Sequence, residues 1–213
     1  MTSDKISGQS DSRADRASAF SLVATAILVS VVGVAGFVWW QYQKARERRA
    51  RNEREASVAL KSLTTAEAQL PSSPSPDRFW VGDVSGLYRL LGKSAPRIPI
   101  RLIGSSVAEA DASPIASQEL APHSVPSPIP YSGYLFIALA KYEGEGTILA
   151  YDQGSHWNRE GFGFCAYPAD YPRSGRKTFI TSEGNEVWEQ DTGGKPPAFF
   201  PYQPGQSGWT RPD

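Results

Sequence analysis

No charged residue interrupts the chain from Ala17 to Trp40. Those 24 residues span roughly 36 Å as a helix, against a hydrocarbon core of about 30 Å. Eleven Val, Ile, Leu or Phe side chains between Phe20 and Val38 favour insertion by about 5 kcal/mol before Ser, Thr and Gly subtract. Trp39, Trp40 and Tyr42 follow at the position of an aromatic membrane-interface belt. The segment is read as a transmembrane helix. A core helix is disfavoured by the charge-free length. A signal peptide cleaved near Gly33-Val34-Ala35 is disfavoured by the long apolar run and the tryptophans behind it.

Beyond the span the period changes. Gln43 to Leu70 contains neither Pro nor Gly and is rich in Ala, Arg, Glu, Lys and Leu, all strong helix formers. Ala56, Ala59, Leu60, Leu63, Ala66 and Leu70 recur at steps of three and four, which puts one apolar stripe on a helix. Span and stalk together predict one helix roughly 50 residues long, with last turns that need an apolar partner. Pro71, Pro74 and Pro76 end it in a Ser/Pro linker.

The remainder is turn-rich. Phe79 to Pro130 reads as irregular, with a short helix from Ser105 or Ser106 to Asp111; Glu109 completes a capping box if Ser106 is the cap. From Tyr131 the pattern is of strands: Tyr134–Tyr142, Gly161–Tyr167, Lys177–Thr181 and Glu186–Gln190, with a hairpin turn at Glu183-Gly184-Asn185. One face of this antiparallel sheet buries Phe162, Phe164, Phe179 and Val187 or their alternating partners, and the stalk stripe is its natural cover. The fold class is therefore α+β. Its parts are a polar tail over 1–16, a transmembrane helix over 17–40, an amphipathic stalk helix over 41–70, a linker and irregular region over 71–130, the sheet over 131–192 and an extended tail over 193–213.

Charge and candidate chemistry add little. The 22 basic and 22 acidic residues cancel, so no overall field draws the chain to nucleic acid. Lys44, Arg46, Arg48, Arg49, Arg51 and Arg54 form a local basic run, read either as a solvated helix face or as a contact for anionic head groups. With Cys165 the single cysteine, no internal disulfide forms, and Cys165, His123 and His156 make a poor zinc set. Cys165 sits in an alternating apolar strand and reads as a buried small hydrophobe. Ser155 and His156 lie beside acids, but sequence neighbours rarely converge into a triad. Asp77, Asp83, Asp111, Asp170 and Asp191 lack calcium-loop spacing. No cofactor, metal or catalytic residue is assigned. Trp157, Tyr171 and Trp209 are candidate surface-binding aromatics.

The order of parts resembles that of type IV pilins and type II secretion pseudopilins. More closely, Asn52-Glu53-Arg54-Glu55-Ala56-Ser57 through Leu63-Thr64-Thr65-Ala66-Glu67 resembles the stalk of uncharacterised bacterial pilin-like proteins. Tyr131-Ser132-Gly133-Tyr134, Gly161 to Tyr171, Gly175 to Ile180 and Val187 to Gly193 are similar to the C-terminal motifs of the same proteins. The resemblance implies a long helix on a small antiparallel sheet. It also implies a non-enzymatic assembly or interaction role in the cell envelope, with the bilayer and other pilin-like or envelope proteins as partners. It implies a single-pass protein of the inner membrane with its C-terminal domain outside the cytoplasm. The Lys/Arg count around the span argues the opposite orientation. Phe20-Ser21-Leu22-Val23 is similar to a processed pilin start, but Ala19 stands for the Gly before the cut and Ala24 for the Glu that follows. A processed filament subunit is thus one alternative, and a membrane-tethered enzyme or sensor domain another.

Overall fold

The computed structural model describes residues 11–70, 78–92, 95–123, 126–152 and 154–212, with side chains in the first helix from residue 33 onward. The chain divides into an N-terminal unit ending at Glu47 and a head from Arg48 to Asp213. The architecture is α+β, with antiparallel sheets and one long N-terminal helix, α1 (Asp11–Gln69, 59 residues). The helix begins within the expected polar tail and runs through the Pro- and Gly-free stretch from Gln43 to its end at Gln69.

In the N-terminal unit, Trp39, Trp40 and Tyr42 are all exposed. Phe37 packs against Trp40 at 6.0 Å between ring centroids, and the Lys44 ammonium lies 4.0 Å from the Trp40 ring, a cation–π contact. Among the described residues no helix is long and apolar enough to cross a membrane. Residues 17–32 of the expected span, including Ala19, Phe20 and Ala24, lie outside the described side chains.

In the head, the five stripe residues within α1, and Leu70 just after it, are all buried and share one apolar core with Phe162, Phe164, Phe179 and Val187. The four-stranded sheet has the order β2-β6-β7-β8, every pair antiparallel. Its strands are β2 (Tyr134–Ala138), β6 (Gly163–Pro168), β7 (Thr178–Ser182) and β8 (Val187–Gln190). β7 and β8 are joined at the expected turn, where Asn185 takes φ 56° and its N–H donates to the Ser182 carbonyl at 3.0 Å. Asn tolerates that left-handed conformation better than most residues.

Polar contacts fix the helix against the loops. Asn52 donates from Nδ2 to the Ser174 carbonyl at 2.8 Å, Glu53 Oε1 accepts the Arg176 N–H at 2.8 Å, and Ser132 donates to Glu55. Gly133 has φ 75°, and a Cβ there would lie 2.8 Å from Ser174 Cβ. A Cβ at Gly175 would lie 2.1 Å from the Tyr134 hydroxyl oxygen, so both glycines are demanded by close approach.

Three expectations are corrected. The run Tyr134–Tyr142 is two strands, because β6 ends its pairing at Phe164 opposite Ala138. The chain then turns into a separate hairpin of β3 (Lys141–Gly144) and β4 (Thr147–Ala150). The short helix is α3 (Ser105–Glu109), preceded by α2 (Gly86–Arg89); the α3 cap is Gly104 with no side-chain bond. Ser106 and Glu109 therefore lie inside the helix and make no capping box. The C-terminal segment, expected as an extended tail, folds back onto the strands. Phe200 bonds to β3, Thr210 exchanges both backbone bonds with Glu189 at the β8 edge, and a 3-10 turn (Pro204–Gln206) brings Trp209 to 5% exposure. Apolar burial of that indole explains the return of the chain.

Leu63→Ala is expected to cost ~2–5 kcal/mol. Val58→Ala, on the same helix but 60% exposed, should change stability by less than ~0.5 kcal/mol. Denaturant unfolding followed by tryptophan fluorescence distinguishes them.

Candidate functional site

The short strand β1 (Phe79–Trp80) pairs with β5 (Trp157–Asn158), and behind this ladder lies a concentration of buried charge. Asp83 Oδ2 accepts from Arg89 Nη2 at 2.6 Å, Ser85 Oγ at 2.8 Å and the Ile115 N–H at 2.9 Å. Its Oδ1 accepts from the Gly86 N–H at 2.9 Å and the Trp80 indole at 3.1 Å. Arg89 also donates from Nε to Ser85 Oγ, from Nη1 to the Ala121 carbonyl and from Nη2 to the Ile115 carbonyl. Asp83 is fully buried and Arg89 nearly so, and such a pair is tolerable only when the remaining hydrogen-bonding capacity is met. Asp111 closes the cluster, accepting from the Ser85 and Ser113 N–H groups. Burial, and secondarily the nearby Asp83 charge, push its carboxyl up to about 6.

Glu67 approaches from α1. It is fully buried; Oε2 accepts the Trp80 N–H at 3.0 Å, and Oε1 has no partner among the described residues. Burial holds its carboxyl well above the ordinary range, against the lowering pull of the Trp80 N–H. A neutral Glu67 costs far less to bury than an ionised one.

The outer surface of the ladder carries aromatics. Trp157 packs edge-on against Trp80 at 5.2 Å and donates from its indole to Glu119 Oε2 at 2.7 Å. Beside it lies a shallow depression of about 280 Å³, lined by Arg78, Ser155, Trp157, Asn158, Arg159 and Glu160. His156, at φ 51°, places Nδ1 3.0 Å from Asp152 Oδ2. Burial raises the Asp152 carboxyl, but the Gly154 and His156 N–H groups, the His156 ring and the Ser155 N–H together outweigh it, and the result is a lowered pKa. Asp152 thus fixes the imidazole. Ser155 Oγ, however, donates to the Trp157 carbonyl at 3.1 Å, so the hydroxyl is spent on backbone and is not held by His156 as an activated nucleophile would be. Cys165 is buried in β6, and burial pushes its thiol up, away from the reactive thiolate. Among the described residues no group of three His, Cys, Asp or Glu side chains is arranged for a metal ion.

The three aromatics named from the sequence lie in different places. Trp157 is partly exposed at the depression. Tyr171 is exposed, 3.4 Å from Asp191 through its hydroxyl. Trp209 is buried and is withdrawn as a surface contact. Sequence reasoning missed Arg89 and the role of Glu67. The signal for Glu67 was present: it stands four residues after Leu63 and three before Leu70, on the apolar side of α1.

Residues 82–206, more than half of the chain, match the family model described as Protein of unknown function (DUF2950), and the chain belongs to that family. No curated protein and no solved structure matches.

Three experiments follow from the buried charge. Arg89→Met leaves Asp83 unpaired and should cost ~3–5 kcal/mol, measured by denaturant titration. For pH, a raised folded pKa means that the folded state holds a proton the unfolded chain has released. Stability therefore falls as pH rises from the unfolded values near 4.5 for Glu67 and 3.8 for Asp111 toward the folded ones. The Asp111 share is lost by about pH 6, while Asp152 works in the opposite sense at lower pH. The midpoint of unfolding should decline between pH 5 and 7, and Glu67→Gln should make that decline shallower.

Proposed function

We propose that this is a non-enzymatic, pilin-like protein of the cell envelope, held in the inner membrane by residues 17–40 and acting in assembly or interaction through its head. The observation that carries the reading is the double use of α1. Its Arg48–Gln69 part supplies Ala56, Ala59, Leu60, Leu63 and Ala66 to the buried core of the head, and the same helix is continuous with the charge-free segment upstream. A helix built into a core at one end and apolar all round at the other suits a tethered head. Exposed Trp39, Trp40 and Tyr42, next to the basic run from Lys44, supply interface anchors. The head's polar contacts from Asn52, Glu53 and Glu55 fall in the segments that carry the pilin-like resemblance, which supports a shared arrangement.

Processing into a filament subunit is the weaker reading, since Ala19 and Ala24 replace the Gly and Glu that such a subunit uses. A tethered enzyme would draw on polar groups around His156 and Asp170; among the described residues His156 meets Asp152, and the Ser155 hydroxyl beside them is bonded to backbone.

In membranes, the full chain should resist alkaline extraction, and deletion of residues 17–40 should release the head. A reporter fused after Asp213 should be active outside the cytoplasm; activity inside would reverse the orientation. Intact mass should retain the first nineteen residues. His156→Ala should leave any phenotype of the gene unchanged, and its selective loss would favour the enzyme reading.

A further inference from the structure

The hairpin of β3 and β4 presents an unprotected sheet edge. β3 has a neighbour on its outer side: Glu143 donates to the Phe200 carbonyl at 2.8 Å, and Phe200 donates to the Lys141 carbonyl at 2.9 Å. β4 has none among the described residues. In an antiparallel ladder, residues directly opposite either exchange both backbone bonds or neither. Lys141 and Glu143 direct theirs to Phe200, so their partners Ala150 and Ile148 point N–H and C=O outward. All four β4 residues are exposed, with Ile148 at 53% and Leu149 at 44%. Natural edge strands are guarded by charge, Pro or a bulge. Thr147-Ile148-Leu149-Ala150 carries no charge and no Pro, and it pairs without a bulge.

We infer that β4 is an assembly edge whose occupant is β4 of a second copy of this chain, paired antiparallel about a two-fold axis through Leu149. This deepens the proposed envelope role and rests on it for the membrane confinement that raises the local concentration of heads. The register follows from hydrogen bonding. Ile148 opposite Ala150 of the second copy satisfies every outward group of both strands. A centre at Ile148 would set Ala150 against Gly146, which lies in the hairpin turn at φ 81°. The side chains agree with this choice. On one face Tyr142, Leu149, and Leu149 and Tyr142 of the second copy stand in one row. On the other, each row begins at Glu143 of one copy and ends at Lys141 of the other, so like charges never share a row. The result is a four-stranded sheet in which each hairpin gains the third and fourth strands that an isolated pair lacks.

At the two-fold centre, Leu149 and its symmetry mate form a non-hydrogen-bonded pair with Cα atoms about 4.5 Å apart, within disulfide reach. The test uses full-length chain in native membranes under mild oxidation, with the buried Cys165 left in place. Leu149→Cys should form disulfide dimers at least ~10-fold faster than Glu145→Cys in the hairpin turn, as paired strands hold the thiols at high effective concentration. Adding Ile148→Pro removes only an outward N–H, leaving β3–β4 pairing intact, and should bring the rate down to that of Glu145→Cys. Equal rates for the two single variants, insensitivity to Ile148→Pro, or a cross-linked product whose mass contains a different polypeptide would each overturn the inference. Alkaline extraction of the same samples reports separately on the anchor, so loss of the tether is distinguished from loss of pairing.

Discussion

The head depends on one burial: the side of α1 that carries Ala56, Ala59, Leu60, Leu63 and Ala66, continued by Leu70 at its end. A small antiparallel sheet cannot close a core alone, because each strand alternates and one face always needs a cover. Here the two central strands, β6 and β7, are buried along nearly their whole length, which demands cover on both faces. The alanines in the stripe keep that side of the helix thin, and the leucines fill the space between. Asn52, Glu53 and Glu55 then fix the helix to the loops at Ser132 and Ser174 to Lys177, setting its register against the sheet. Removing the stripe would leave an open sheet with apolar residues in water.

That burial also explains the unusual carboxyl of Glu67. A residue placed on the stripe must go wherever the stripe goes. Its Oε2 accepts the Trp80 N–H, which ties the end of α1 to the strand that follows the linker. Trp80 in turn meets Asp83 through its indole, and Asp83 organises Arg89, Ser85 and Ile115. Helix, linker strand and buried ion pair therefore form one connected polar path through an apolar interior. Each member of such a path is costly to leave unpaired in an apolar interior.

Much of this was legible in the chain. The stripe was visible because helical periodicity is a property of local spacing, and β7, β8 and their turn were visible because alternation and Asn185 are local too. The fate of the Tyr134–Tyr142 run was not. Where a strand changes partner depends on where β6 stops, more than twenty residues away. Trp209 illustrates the same limit: Pro, Gly and aromatics around it read as an extended tail, yet the indole is buried and Thr210 closes on Glu189. The Asp83–Arg89 pair was hidden for a related reason. Its donors come from Trp80, Ser85, Gly86, Arg89 and Ile115, and only the fold brings Ile115 to that carboxylate.

The polar corner at β1 and β5 illustrates how chemistry named from sequence is redirected by backbone bonding. Ser155, His156 and Asp152 are neighbours in the chain and remain neighbours in space. Asp152 nevertheless accepts the N–H groups of Gly154, Ser155 and His156, which makes it the organiser of a turn. The imidazole is oriented by the same carboxylate as a by-product of that turn. The serine hydroxyl closes a local loop on Trp157. What remains accessible is an indole with one edge satisfied by Glu119, set between Arg78, Arg159 and Glu160. An aromatic surface flanked by both signs of charge combines apolar contact area with polar groups at its rim.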